Sequence, residues 1–555
     1  MVSRRSAAIM VAAGALTSSA CAPLPAGTAG TAGTPNGAVV GEPVSRIGPF
    51  ADVRAIAVAP TRAFIVADGG LAIYDRNRRA WLPPLPLGFA VERGSPYRVP
   101  CAAVTNLIGD VVWIACGTRV TVVRPAIDAV WATDLGEPVA ALAASRGGGD
   151  AWAFVGGGVA VVSSAGTARP LGPGETVPAE RIAGRTAVGG SPALTQALND
   201  PLLLRDDALR SWPPTAASRG DGVGDSWVGT LGGGVFLVDI DFHRSRQLPF
   251  GLRGGSVRSV SRTATGVIAA EDPVNDGRDR SVITIASDDL SVWQWPSLYT
   301  GLGALSAVVA REGTICIAGE LGAGTATLKP LANSPSAALN NDHRLFEPAS
   351  TAIATRAGCA VGTDRSVVIL PWPASESGSP AGPRTLGRLP PVRALVSSGD
   401  TIWIGTLGGL YRASSADGQA SPLRLPPSVA QNIVAVALTA DGLAVASPGE
   451  VWIGSGPDRT ESFARPVVSV ARIGRLTTLA ADATTLWIGG SNGALVIALA
   501  SGQTIDVALD DPRALAPPTF GARQVRSIAL APGVAWLGTA AGLVRIRRGP
   551  DGLPR

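Results

Sequence analysis

Ile402-Trp403-Ile404-Gly405-Thr406-Leu407-Gly408-Gly409-Leu410-Tyr411-Arg412 reads as a strand, a glycine turn and a returning strand, and the phrase recurs along the chain. It comes back as Ser226-Trp227-Val228-Gly229-Thr230-Leu231-Gly232-Gly233-Gly234-Val235, as Leu486-Trp487-Ile488-Gly489-Gly490-Ser491-Asn492-Gly493-Ala494, and as Ala535-Trp536-Leu537-Gly538-Thr539-Ala540-Ala541-Gly542-Leu543-Val544-Arg545. Period-two alternation broken by glycine turns indicates antiparallel hairpins rather than helices. A repeat of roughly 40–50 residues built from short strands marks a β-propeller.

Working outward from Trp403 gives a four-stranded blade. Val392-Arg393-Ala394-Leu395-Val396 is a half-buried first strand, Thr401 to Thr406 the second, Leu410 to Ala413 the third, and Pro422-Leu423-Arg424-Leu425-Pro426 an edge strand where proline is tolerated. The opening returns as Val53-Arg54-Ala55-Ile56-Ala57, Val257-Arg258-Ser259-Val260-Ser261 and Val525-Arg526-Ser527-Ile528-Ala529. The second-strand tryptophans Trp113, Trp152, Trp227, Trp403, Trp487 and Trp536 are expected to wedge between sheets. The glycine that follows two places on lets backbones approach where blades narrow.

Aligning degenerate copies on that strand adds Phe64, Ala187, Ile268, Cys316, Ala360 and Leu443, for about twelve blades. Closed rings carry about 4–8 blades. The expected fold is therefore all-β, with two consecutive propellers of six (or seven) blades, residues 48–300 and 301–555. The last copy stops after its third strand at Arg548, and Val39 to Ile47 can supply the missing edge.

The repeat resembles the propeller repeat of two-component regulator sensors, the periplasmic region of bacterial hybrid sensor kinases. The copy at Trp403 matches nearly throughout, and those at Trp227, Trp487 and Trp536 match well. The resemblance implies paired propellers that face the periplasm and recognise ligands such as carbohydrate fragments. The family's connecting immunoglobulin-like domain, membrane span and kinase find no counterpart after Arg548, so the resemblance carries over a binding scaffold and not signal transmission.

Composition agrees with a large exported β-protein. Of 555 residues, 46% are hydrophobic and 16% charged, enough for a core and too apolar for a disordered chain. The formal charge is +5, but Lys329 is the sole lysine and the arginines are scattered, so no nucleic-acid partner is expected. Arg4 and Arg5, the apolar Ala7 to Leu16, and Thr17-Ser18-Ser19-Ala20-Cys21 read as an export signal over residues 1–21. Cys21 resembles the lipidated cysteine of bacterial lipoproteins, with Ser18 where a leucine is usual; cleavage near Ala20 to give a soluble periplasmic protein is the alternative. Residues 22–47 suit a flexible tether that also provides a closing strand. No later run of about 20 apolar residues forms a membrane span.

Cysteine usage fits an oxidising compartment. Counting outward from the turn at Gly109-Asp110 sets Cys101 nearly opposite Cys116, which predicts a cross-strand disulfide. Cys316 and Cys359 fall at positions of opposite parity in second strands of successive blades and could face one another across the interface, but sheets about 10 Å apart are usually too distant for a bridge, so the expected state is unbridged.

Signals for chemistry are sparse. His243 and His343 are far apart, and the acidic stretch from Glu271 to Asp279 does not follow the calcium-loop order, so it reads as a solvated hairpin tip. Gly147-Gly148-Gly149 and Gly156-Gly157-Gly158 lack the following helix that would present its N-terminus to phosphate. Neither a metal nor a cofactor is expected. Trp212, Trp293, Trp295, Tyr299 and Trp372 lie outside the repeat positions and are the candidates for stacking on sugar or anchoring a protein, with packing between blades as the favoured role. The favoured function is a non-enzymatic, exported, lipid-anchored scaffold that binds or senses a glycan, peptide or envelope protein. The alternatives are a polysaccharide hydrolase or lyase with two carboxylates in a propeller funnel, and an assembly scaffold for envelope proteins.

Overall fold

In a computed structural model of the chain, the structure describes residues 44–555 apart from 88–99, 146, 189–201, 207–208, 221–224, 273–281, 299–300, 330–335, 340–343, 374–381, 416–417, 426–431, 441, 456–461, 464–467, 470–471 and 511–522. Cys21, Tyr299 and His343 lie outside the described residues. Pro43–Arg555 is one compact unit.

The described residues form eleven sheets, each built on four strands that run antiparallel in chain order from the axis outward. They are blade 1 (residues 53–85), blade 2 (101–134), blade 3 (139–170), blade 4 (214–248), blade 5 (257–294), blade 6 (305–339), blade 7 (349–388), blade 8 (392–422), blade 9 (435–463), blade 10 (476–506) and blade 11 (525–547). Blade 11 has three strands of its own, and its fourth is Val44–Ile47, paired in register from Val44 opposite Ile546 to Ile47 opposite Leu543. The copy expected at Ala187 is not a blade. Thr186–Ala187 is a two-residue strand that pairs with the axial side of the first strand of blade 3, Ala187 opposite Ala141.

Packing, rather than spacing, shows which blades share a ring. A Cβ on Gly362 would lie 2.6 Å from Val392, on Gly405 2.7 Å from Ile433, on Gly489 2.8 Å from Val525 and on Gly538 2.8 Å from Val257. Each repeat glycine thus lets its blade seat against a branched residue at or just before the start of the next blade's inner strand. Gly538 seats on Val257, so blade 11 is followed by blade 5. Blade 6 joins blade 5 through Val308 N–H and Ala310 N–H, which donate to the Ser259 and Ser261 hydroxyls at 3.2 Å each. Blades 9 and 10 share an apolar core around Ala444, Val451, Leu486 and Ile488. Blades 5 to 11 therefore close a seven-bladed ring.

Gly229 closes the other contact, its Cβ position 2.3 Å from Val53, so blade 4 is followed by blade 1. Blades 4, 1, 2 and 3 form the arc of the first ring. The expected division at 300/301 into six and six is corrected to a boundary between blades 4 and 5, at residues 249–256. Blade 5 misled because isoleucine and alanine, Ile268 and Ala270, stand where the repeat has tryptophan and glycine. The whole first ring is inserted between the last and first blades of the seven-bladed ring.

Alternating strand direction puts the first-to-second and third-to-fourth strand turns on one face of each ring, here the lower, and the second-to-third turns with the blade links on the upper. On the upper side the two inter-ring links pair: Phe50 N–H donates to Leu252 O at 2.8 Å, and Leu252 N–H to Gly48 O at 3.2 Å. On the lower side Trp81 N–H donates to Ser291 O at 3.2 Å. The rings thus lie side by side in the same sense. Between them Phe50, Tyr74, Trp81, Trp227, Phe250 and Trp293 form a connected aromatic cluster with neighbouring centroids 4.4–5.5 Å apart.

Trp113, Trp227, Trp403, Trp487 and Trp536 are buried between sheets, and the Trp113 indole N–H reaches Val162 O of blade 3 at 3.2 Å. Trp152 differs in being half-buried, because no described blade seats on that side of blade 3. Cys101 and Cys116 are bridged. Cys316 and Cys359 are bridged as well, contrary to the expectation from sheet spacing, with Cα atoms 6.2 Å apart. Alanines at 307, 318, 323 and 352 line that interface and let blades 6 and 7 close in.

Replacing Trp536 with alanine is expected to cost about 3–5 kcal/mol, and Gly538→Val about 1–3 kcal/mol by overpacking against Val257. Urea unfolding measures both; changes within about ±0.5 kcal/mol would place these positions on the surface instead.

Candidate functional site

The mouth of each ring on the upper face is shaped by a recurring irregularity. In nine blades the register of the inner strand skips one residue after its first, for example between Val392 and Ala394. The skipped residues are Arg54, Ala140, Thr215, Arg258, Ser306, Ser350, Arg393, Thr477 and Arg526. A bulge leaves its extra residue out of the ladder and re-aims the side chain. The repeated Val-Arg-Ala/Ser opening was legible as a strand start, but the bulge inside it was not.

Four of these side chains are hydroxyls that clasp the next blade. Thr215 donates to Val53 O at 2.6 Å, Ser306 to Ala349 O, Ser350 to Val392 O at 2.7 Å and Thr477 to Val525 O. Among the arginines, Arg54 pairs with Asp68 at 2.6 Å. Arg258 and Arg526 both grip Asp272, joining blades 5 and 11. Arg393 is exposed at the mouth of the seven-bladed ring, with no partner among the described residues.

Below Asp272, Glu271 is fully buried at the end of the second strand of blade 5. Its carboxylate accepts from the Thr284 hydroxyl and from Gly254 N–H of the inter-ring link. Burial pushes its pKa up to about 7, against the lowering pull of those two donors and of Arg253. Burial also raises Asp272, but the Ser256 hydroxyl and the Arg526 and Arg258 guanidiniums outweigh it and hold that carboxyl below its ordinary range.

Of the aromatic candidates, Trp293 and Trp295 are corrected: both are buried, Trp293 in the inter-ring cluster and Trp295 with its indole N–H on Gly251 O at 3.0 Å, so neither offers a face to a ligand. Trp372 is half-buried and its indole N–H is held by Thr355 O at 3.1 Å. Trp212 is half-buried, floored by Gly232 and Gly233, with the Arg253 guanidinium 4.8 Å and that of Arg210 5.4 Å from its ring. Its indole N–H donates to Asp206 at 3.2 Å. His243 sits in an exposed turn with Nδ1 3.0 Å from Ile240 O. Among the described residues no three His, Cys, Asp or Glu side chains converge on a metal position, and no helix is long and apolar enough to cross a membrane.

No family model matches the chain, and no curated protein matches it. Similar solved structures include PorZ, titled an essential bacterial surface component of the type-IX secretion system of Porphyromonas gingivalis, at 10% identity and TM-score 0.47, covering 91% of this chain and 87% of that one. Another is the extracellular domain of a putative hybrid two-component system from B. thetaiotaomicron, at 11% identity and TM-score 0.36, covering 89% of this chain and 70% of that one. Likeness at this level carries no functional inference.

The raised pKa of Glu271 has a signed consequence. Between the unfolded value of 4.5 and the folded value of about 7 the folded chain holds a proton the unfolded chain releases, so this group's contribution to stability is full below 4.5 and is lost as pH rises through 7. Melting followed from pH 4.5 to 8 is expected to show this decline, and Glu271→Gln to remove it; an equal decline in both would assign it to other groups.

Proposed function

We propose that this chain is an exported, lipid-anchored scaffold that binds a glycan, peptide or envelope protein without catalysis. Export is supported by the leader and by two disulfides buried among strands, which persist in oxidising compartments. The observation that carries the reading is Arg393. It occupies a position that four other blades spend on hydroxyl clasps to their neighbours, yet stands exposed at the ring mouth. A guanidinium there offers five donors in a fixed plane to a carboxylate, phosphate or sugar oxygen. The hydrolase alternative gains no support from Glu271, which is enclosed and spoken for by two donors.

Glycan-array binding and envelope pull-down with the mature protein test the scaffold, and Arg393→Glu is expected to weaken the recovered interaction about tenfold or more, with an unchanged melting temperature. Retention of full binding by that variant would move the site elsewhere. Cys21→Ser is expected to release the protein from the membrane fraction, and unaltered fractionation would refute the lipid anchor.

A further inference from the structure

Blade 3 ends the arc of the first ring. Along its second strand Ala151 and Ala153 pack into the core shared with blade 2, so Trp152 and Phe154, which alternate with them, project from the opposite side of the sheet. Both are half-buried there.

The chain that leaves blade 3 folds back against this side. A short helix, Ala179–Ala183, ends at Gly184, whose N–H donates to Glu180 O at 3.0 Å. Thr186 and Ala187 then pair with Leu142 and Ala141 on the axial edge of blade 3, and Val188 N–H donates to Ala140 O at 2.9 Å. The backbone is therefore fixed on both sides of Arg185.

Arg185 lays its guanidinium over the Phe154 ring, 5.6 Å from the centroid, and its Nη1 donates to Ile182 O at 3.2 Å. A guanidinium carries five N–H donors in one plane. Stacking and this bond orient the group, and the side chain is otherwise exposed. Beside it opens a cavity of about 530 Å³ whose wall, among the described residues, is Ala179, Ile182, Arg185 and Ala187. Ala179 and Ile182 stand three apart on the helix and so share a face; Ile182 is 40% exposed. Glu180 and Arg181 are not among those wall residues. Glu175, earlier in the same segment, is committed to Arg169 at 2.6 and 2.9 Å and to Gly172 N–H at 2.8 Å. One charge, the Arg185 guanidinium, thus faces an otherwise apolar described wall. Ligand pockets of about 300–1,000 Å³ are built in this way, with an apolar lining and a few placed polar groups that fix orientation.

We propose that this cavity binds an organic anion, with Arg185 on its carboxylate or phosphate and Ala179, Ile182 and Ala187 against its apolar body. The site belongs to the first ring and does not rest on the mouth at Arg393. The mature protein is titrated with 1-anilinonaphthalene-8-sulfonate, an aromatic sulfonate whose emission rises when it leaves water. Saturable binding is expected, displaced by decanoate or decyl phosphate and not by decanol at the same concentration; the stronger of the two anions identifies the preferred headgroup. Arg185→Gln is expected to weaken dye and anion about tenfold or more, the loss of a charge-assisted hydrogen bond, and Ile182→Ser to weaken them severalfold. Arg181→Gln is expected to bind as the wild type does, with melting temperatures unchanged in all three variants.

Emission that does not saturate overturns the proposal, as does wild-type affinity in both Arg185→Gln and Ile182→Ser, which would put the dye on exposed apolar side chains elsewhere. Displacement by decanol as readily as by decanoate and decyl phosphate overturns it in favour of an apolar groove without anion recognition. Failure of both anions to displace the dye also overturns it. The competition is read on the wild-type protein, so it decides the matter even where a variant folds poorly, and none of these results alters the outcome for Arg393→Glu.

Discussion

Everything in this molecule depends on a backbone glycine meeting a branched side chain. Gly229 on Val53, Gly362 on Val392, Gly405 on Ile433, Gly489 on Val525 and Gly538 on Val257 are the same contact repeated around two circles. A methyl group at any of these glycines would fall within 2.3–2.8 Å of the neighbour, where close-packed interiors have no slack. The approach brings the bulged residue of one inner strand within reach of the next blade, so the hydroxyl clasps at Thr215, Ser350 and Thr477 follow from the glycine, and Ser306 makes the same clasp where Ala318 stands in the glycine's place. Two places before, Trp227, Trp403, Trp487 and Trp536 then fill the wider part of the wedge, with Ala360 in that place before Gly362.

The inter-ring junction is a second core of the same compact unit. Phe50 and Phe250 come from the two crossing links, Tyr74 and Trp81 from blade 1, Trp227 from blade 4 and Trp293 from blade 5. Backbone hydrogen bonds tie the links above and the blade edges below. Such a joint resists hinge motion, and it fixes both upper mouths on one side and both sets of lower turns on the other. A buried carboxyl, Glu271, sits where the link leaves this joint, which ties the protonation of one group to the packing of the bridge between rings.

The sequence displayed the blade through local chemistry: alternation, glycine turns and a tryptophan at a fixed offset all lie within one repeat. Ring membership was hidden because it depends on pairs such as Gly538 and Val257, almost three hundred residues apart, and because blade 5 carries Ile268 and Ala270 in place of the signature. Ala187 imitated a repeat while serving as an axial strand on blade 3. The Cys101 pairing was readable because both cysteines share a hairpin. The Cys316 pairing was not, since the narrowing that permits it comes from alanines on several strands. Of the mouth, the arginine at position 393 was visible but its bulge was not, and the packing expected for Trp293 and Trp295 comes from the first ring, which covers them.

Val44–Ile47 leaves the ribosome first among the ordered strands, and its partner Gly542–Arg547 leaves nearly last. The larger circle therefore cannot shut until almost the entire polypeptide has been made, and joining ends so far apart along the chain carries a loop-closure cost that grows only slowly with length. The seven-bladed ring is thus latched by its two most distant strands, and every intermediate short of the full circle leaves the outer edge of blade 11 open.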